Sequence, residues 1–177
     1  MNLEQELNKE YSLQHIEEVA AFINKNPQYI KKNVELMLFG DTKTSQKASW
    51  VLTKFNIFSN IELISHLDFI IKNLNNNRHD AVYRSLARYF SIITKDYSDF
   101  LNDKQIDFII DFSFSRLINI KEKAAIRAFS MFSLKNLAHL RPWVKDELIL
   151  YIENNMANSL PSFQSSGRRV LKELGKL

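Results

Sequence analysis

The chain lacks cysteine and has very little glycine or proline. Its 177 residues include three Gly, three Pro and no Cys. Without cysteine, a disulfide framework, a cysteine nucleophile and a thiolate metal site are all excluded. Because so few residues would interrupt a helix, we expect a chain built largely of helices.

Long apolar runs are also missing. No stretch approaches the roughly 20 apolar residues that a transmembrane helix needs. Residues 1–11 have no basic region followed by an apolar run, so they do not read as a secretory signal. We therefore predict a cytoplasmic protein with no membrane partner. Nothing in the composition predicts an oligomeric state.

Apolar residues recur at spacings of three and four along the chain, which is the periodicity of amphipathic helices. Pro27 and Pro142 each precede such a run, at the first-turn position where a missing backbone N–H does no harm. The predicted helices have short connections and lie near residues 12–25, 27–39, 45–58, 60–75, 80–95, 103–119, 121–138, 142–157 and 162–175.

Four of the predicted helices resemble one another when they are aligned on one anchor position. The anchors are 34, 43 and 41 residues apart, and they are Trp50, Arg84, Arg127 and Arg168. The position two residues after each anchor is apolar: Leu52, Leu86, Phe129 and Val170. A period of about 40 residues with one helix pair per unit predicts an α-solenoid, because a single pair cannot bury its apolar face without a stacked neighbour.

Two of these segments resemble the second helix of a HEAT-type repeat, namely "HDAVYRSLAR" (79–88) and "EKAAIRAF" (122–129). With "QKASW" (46–50), they are similar to short bacterial HEAT-repeat proteins. The resemblance implies an all-α, right-handed α-α superhelix of about four helix pairs. In this interpretation residues 1–26 form an N-terminal capping helix, residues 27–177 form the repeats, and the whole is a single domain. The resemblance bears on fold much more than on activity.

The repeat alignment also predicts which side of each second helix faces solvent. Successive residues of a helix are rotated by about 100°. The positions two before, two after and five after the anchor therefore lie on one side of the helix, and the anchor and the position four after it lie on the opposite side. The first set is mostly apolar and should face the core. The second set should then line the concave surface, which second helices form in a solenoid. The predicted partner-binding residues of this basic stripe are Trp50, Lys54, Arg84, Arg88, Arg127, Arg168 and Lys172.

The charge distribution agrees with a basic inner layer. The four second-helix segments each carry an excess of Lys and Arg, and three of the four first-helix segments are net acidic, although the formal net charge is only +4. A basic groove concentrates acidic partners and speeds their association. In the alternative interpretation the arginines tie one repeat to the next, and Asp80 pairs with Arg84 within the helix. Trp50 either contacts a partner or is covered by an acidic first helix.

Site chemistry is sparse. The four histidines show no metal-ligand spacing. Asp103, Asp107 and Asp111 form a stripe that lacks the oxygen-rich loop of a calcium site, so we interpret it as a solvated or salt-bridging face. The segment 162–169, "SFQSSGRR", has phosphate-binding residue types, but a capped helix in which Gly167 allows close packing is the favoured interpretation. We predict no cofactor, no metal site and no catalytic residues.

The sequence therefore favours a non-catalytic scaffold whose basic concave groove holds an acidic protein or peptide. The alternative is a protein that binds the phosphate backbone of nucleic acid, as the DNA glycosylases built on HEAT-like repeats do. Those enzymes need a carboxylate beside aromatic groups, and the stripe offers Trp50 without one. An enzymatic function is the third hypothesis, and no constellation of residues supports it.

Overall fold

The computed structural model describes residues 2–74, 79–157 and 159–176. Within these ranges all regular structure is helical, as predicted. The α-helices are α1 (Leu3–Lys9), α2 (Leu13–Lys25), α3 (Ile30–Phe39), α4 (Thr42–Leu52), α5 (Ile57–Ser65), α6 (Leu67–Asn73), α7 (Asp80–Asp96), α8 (Asp103–Ile118), α9 (Ala124–Leu137), α10 (Pro142–Met156) and α11 (Pro161–Glu173). Single 3-10 turns at Pro27–Tyr29 and Ser98–Phe100 precede α3 and α8.

The first helix, α1, was not predicted from the sequence. The Asn2 side chain accepts a hydrogen bond from the Gln5 backbone N–H at 3.3 Å and so caps the helix. Leu3 and Leu7, one turn apart, are buried. A helix of two turns with only two apolar residues has too little periodicity to be recognised in sequence.

The predicted helix over residues 45–58 ends earlier than expected. Helix α4 stops at Leu52, and the Thr53 hydroxyl donates a hydrogen bond to the Trp50 carbonyl at 2.8 Å. The next helix begins soon afterwards, because the Asn56 side chain caps α5 by accepting from the backbone N–H of Ser59 at 2.9 Å. Lys54 therefore lies beyond the helix, and its predicted angular position on α4 is wrong.

The predicted helix over residues 60–75 is also two helices. Helices α5 and α6 meet at His66, whose backbone N–H bonds to the Leu63 carbonyl at 3.0 Å in a tightened last turn. The proline prediction holds, since Pro27 opens a 3-10 turn and Pro142 opens α10.

The chain forms two compact units, Met1–Tyr89 and Phe90–Leu177, and the division falls inside α7. In the first unit, α1, α2 and α3 all pack on α4. In the second unit, α8 pairs with α9, and both α10 and α11 pack on α9. The predicted division of the chain after residue 26 stays a prediction.

Gly167 sets the packing distance between the last two helices. A Cβ atom at this position would lie 2.9 Å from Ile152 Cγ2 and 3.2 Å from Met156 Cε, both on α10. Gly167 is buried in the middle of α11, which starts at Pro161 without a side-chain cap. The segment "SFQSSGRR" is therefore a packed helix, as the favoured interpretation held, although its predicted cap is absent.

Candidate functional site

Helix α7 presents its two arginines as the sequence predicts. Val82, Leu86 and Tyr89 are buried, whereas Arg84 and Arg88 are exposed. Within the described residues the Arg84 guanidinium has no hydrogen bond and no ion pair, so the pair with Asp80 that the alternative interpretation gave does not form. Arg84 is therefore available to a partner.

Helix α11 follows the same pattern. Val170 is buried, and Arg168 and Lys172, four residues apart, are exposed on the same helix. Neither side chain has a hydrogen bond or ion pair in the part of the chain that the structure describes. Two adjacent cations are thus presented to solvent without a counter-charge of their own.

In the first repeat the N-terminal segment covers the predicted stripe. The Trp50 ring is half-buried, and its centroid lies 5.9 Å from that of Tyr11 at an interplanar angle of 53°. The Lys54 ammonium lies 2.6 Å from the Glu17 carboxylate on α2. Tyr11, in the turn between α1 and α2, therefore contacts Trp50.

Helix α9 is rotated relative to the prediction. Met131, placed on the solvent side by the alignment, has 0% exposure, and Ala125, placed in the core, is exposed. The buried residues of this helix are Ile126, Ser130, Met131, Ser133, Leu134 and Leu137. The predicted orientation is wrong here, because the burial of these six residues turns Arg127 toward the neighbouring helices.

Arg127 accordingly has intramolecular partners. Its Nε donates to the Leu117 carbonyl at 3.0 Å, and Nη2 donates to the Tyr151 hydroxyl at 3.3 Å. The guanidinium also lies 4.5 Å from the centroid of the Phe163 ring. Arg127 thus joins the last turn of α8 to α10 and α11, which is the tying role of the alternative interpretation.

The second unit contains a cleft of about 420 Å³ that the stripe did not predict. Residues of α7, α9 and α11 line it: Ser91, Ile92, Lys95, Asp96, Phe132, Lys135, Asn136, Arg169 and Glu173. We call it the α9–α11 cleft. Three of its side chains are cationic and two are acidic, so its formal charge is positive.

A carboxylate already sits between two of these cations. The Glu173 carboxylate accepts from Lys135 Nζ at 2.5 Å and from Arg169 Nε at 2.8 Å. Hydrogen bonds from Lys135 and then Arg169 lower the pKa of Glu173 below its usual 4.5. The Arg169 guanidinium also lies 5.1 Å from the centroid of the Phe132 ring, which is half-buried. This arrangement places paired cations beside an apolar ring, and the carboxylate that they hold belongs to the chain itself.

Sequence signals for this cleft exist. Lys95 follows Arg84 by eleven residues, or about three helical turns, and so extends the predicted stripe on α7. Lys135 and Arg169 contribute to the basic second-helix segments but lie off the anchor positions. The net charges of the second-helix segments therefore included all three cations, whereas none of the three was among the predicted residues of the stripe.

The acidic stripe of α8 is a salt-bridging face, as interpreted. Arg141 donates from Nη2 to Asp103 at 2.6 Å and from Nε to Asp107 at 3.0 Å. These bonds, with that to Asp103 the larger cause, raise the pKa of Arg141. Among residues 2–74, 79–157 and 159–176, no group of three or more His, Asp or Glu side chains could hold a metal ion.

Comparison with known families decides the family. A model of the HEAT repeat domain matches residues 3–174, nearly the whole chain. The chain belongs to the HEAT repeat family. HEAT repeat proteins are generally protein-interaction scaffolds and typically non-catalytic, and the family supports a solenoid-like arrangement of the helices. No curated protein and no solved structure matched this HEAT repeat protein. None of its described helices is long and apolar enough to cross a membrane.

Proposed function

We propose that this HEAT repeat protein is a non-catalytic scaffold that holds an acidic protein or peptide on the basic surface of its second helices. The observation that carries the proposal is the exposure of Arg84, Arg168 and Lys172, none of which has an intramolecular partner among the described residues. An acidic partner can pair with such long cationic side chains without breaking an ion pair or hydrogen bond inside the protein.

The α9–α11 cleft supports an acidic protein as the partner. Lys135 and Arg169 already hold the Glu173 carboxylate, so the cleft has donors suited to this group. The half-buried Phe132 ring adds apolar surface of the kind that protein interfaces use. A peptide with acidic and apolar residues would meet both, whereas a phosphate backbone would use only the cations.

Other members of the predicted stripe contribute less to this proposal. Lys54 is engaged with Glu17, Arg127 with Leu117 and Tyr151, and Trp50 contacts the N-terminal segment. Breaking these contacts would cost free energy before any partner was gained. The proposed contact residues are therefore Arg84, Arg168 and Lys172, whose side chains have no such contact among the described residues.

A charge-reversal experiment tests the proposal. Binding of a fluorescein-labelled peptide rich in Glu and Asp is followed by anisotropy, for the unmodified protein and for the double variant Arg168→Glu/Lys172→Glu. We expect affinity to fall about ten-fold or more, because two attractions become two repulsions, together worth at least about 1.4 kcal/mol.

The matched control is Lys104→Glu/Lys145→Glu, which changes net charge equally at exposed positions on α8 and α10. This control should bind the peptide within about two-fold of the unmodified protein, since distant exposed charges are screened by salt. Equal losses in the two double variants would mean that only net charge matters, and would refute a site on the second helices.

The nucleic-acid alternative is separated by a second measurement. Proteins captured from lysate on the immobilised protein are identified with and without nuclease treatment. Acidic proteins that are retained after nuclease and lost with Arg168→Glu/Lys172→Glu would support the scaffold. Retention that disappears with nuclease, and affinity for a DNA duplex that falls steeply between low and moderate salt, would support phosphate-backbone binding instead.

A further inference from the structure

A cavity of about 650 Å³ opens in the first unit, between the turn that joins α1 to α2 and the first turns of α4. Its polar wall includes Asn8, Lys9, Tyr11, Lys43, Gln46 and Lys47. None of these side chains belongs to the surface proposed to hold an acidic protein. The cavity therefore calls for an explanation of its own.

The central feature of this cavity is the side chain of Lys47, which is 6% exposed. Within the described residues it has no ion pair and no hydrogen bond, and its ammonium lies 5.8 Å from the centroid of the Tyr11 ring. Its aliphatic stem is buried, whereas its ammonium, which has no such partner among those residues, opens onto the cavity. The buried stem fixes this ammonium at the cavity wall, where a bound anion would pair with it.

The groups nearest to Lys47 in the cavity are further hydrogen-bond donors, and none of them accepts a hydrogen bond from its ammonium. Lys43 lies one turn earlier on α4 and lines the same cavity, and like charges at this spacing destabilise a helix. The Tyr11 hydroxyl accepts a hydrogen bond from Gln46 Nε2 at 2.5 Å, so its own proton is free to donate. An anion in the cavity would meet two ammonium groups and a phenol.

The two acidic residues of the wall do not satisfy Lys47. The Asp41 carboxylate caps α4, accepting from the backbone N–H of Thr44 at 2.7 Å, and this bond is the main reason that the pKa of Asp41 is lowered. Glu10 is exposed. Of the three lysines of the wall, Lys9 pairs with Glu6 at 2.6 Å, so Lys43 and Lys47 are the ammonium groups that an anion in the cavity would meet.

We infer that this cavity binds a small phosphate monoester. Two ammonium groups and a phenol match the charge of about −2 and the three acceptor oxygens of a phosphate monoester better than the single charge of a carboxylate. The volume lies within the range of about 300–1,000 Å³ for small-molecule sites, which leaves room for an organic group beside the phosphate. The inference does not rest on the proposed scaffold function, since the two use different residues.

Trp50 provides a local reporter. Its ring lies 5.9 Å from Tyr11, and the chain has only one other tryptophan, Trp143. In the variant Trp143→Phe, fluorescence excited at the red edge reports on Trp50 alone. Glycerol 3-phosphate and inorganic phosphate are titrated, with glycerol and glycerate as the neutral and carboxylate counterparts.

We expect a saturable fluorescence change with glycerol 3-phosphate, weaker binding of inorganic phosphate, and no response to glycerol. Lys47→Met, which keeps an apolar stem and removes the charge, should weaken glycerol 3-phosphate binding at least about ten-fold, because a directly paired charge is lost. The control Lys31→Met removes an exposed lysine on α3 outside the cavity and should change nothing.

Thermal unfolding gives a readout independent of fluorescence. Glycerol 3-phosphate should raise the Tm of the unmodified protein and not that of Lys47→Met, since a ligand stabilises only the state that binds it. If Lys47→Met does not fold, Lys43→Met at an exposed position replaces it and should also weaken binding. No saturable change up to about 10 mM ligand, unchanged affinity in the lysine variants, or equal affinity for glycerate would each overturn the inference.

Discussion

Replacing Arg127 by methionine tests whether this arginine ties helices together or serves a surface. The structure gives it two hydrogen bonds, at 3.0 Å to the Leu117 carbonyl and at 3.3 Å to the Tyr151 hydroxyl. Methionine keeps much of the apolar stem, so the measured loss reports mainly on the guanidinium. The assay is urea unfolding of the variant in a Trp50→Phe background, followed by the fluorescence of Trp143 in the second unit.

The expected loss follows from the contacts. Hydrogen bonds from a charged donor contribute about 1.5–3 kcal/mol, and the ring contact with Phe163 adds about 1 kcal/mol. The Leu117 carbonyl would keep one donor, because the Tyr151 hydroxyl also bonds to it at 3.1 Å, so no buried acceptor is orphaned. We therefore expect Arg127→Met to lower the free energy of unfolding by about 3 kcal/mol, below the simple sum of its contacts.

Two further variants sharpen the test. Arg127→Lys should recover about half of the loss, because lysine restores a charge near the carbonyl end of α8 but cannot make both bonds. A double-mutant cycle with Tyr151→Phe should give a coupling free energy of about 1 kcal/mol. A loss below about 0.5 kcal/mol for Arg127→Met would be ordinary for a solvated surface residue and would refute the tying role.

Two other predictions concern the second unit. Gly167→Val should lower the free energy of unfolding by about 1–3 kcal/mol, because the added side chain forces α11 away from Ile152. Ser165→Val, at an exposed position on the same helix, should change it by less than about 0.5 kcal/mol. Equal effects of the two variants in urea unfolding would show that Gly167 does not set the distance between the helices. The hydrogen bond from Lys135 lowers the pKa of Glu173, so its stabilising contribution is present above the unfolded-state value near 4.5 and is lost as pH falls through the lower folded-state pKa. The stability advantage of the unmodified protein over Glu173→Gln should therefore shrink in acid, and an advantage that does not change with pH would contradict this.

The helical fold could be predicted because its signals are local. Periodicity and scarce glycine and proline predicted nearly every helix, and the repeat segments "HDAVYRSLAR" and "EKAAIRAF" indicated the family that the comparison confirmed. The errors lie at helix ends and in the shortest helix, where a cap such as Asn56 decides the boundary and apolar spacing does not.

The orientation of each second helix could be predicted only where one side alone is apolar. Helices α7 and α11 are strongly amphipathic, so the exposure of Arg84 and Arg168 followed directly from the pattern. Helix α9 is only weakly amphipathic, with apolar residues on more than one side. The repeat alignment predicted that the side of α9 with Phe129 faces the core, whereas the side with Ile126 and Met131 is the one that is buried.

A cation of the second helices can bind a partner only if no neighbouring residue already accepts its hydrogen bonds. The net charge of a segment does not show whether such an acceptor is present. Lys54 pairs with Glu17, and Arg127 donates to the Leu117 carbonyl in the last turn of α8, so both are engaged within the protein. Arg84 and Arg168 meet no acceptor among the described residues. Lys47 is a third case, since its stem is buried, it lines a cavity and its ammonium has no partner among the described residues. Exposed arginines suit a large acidic partner, whereas a lysine fixed at a cavity wall suits a small anion, so cationic residues support two different kinds of binding in one chain.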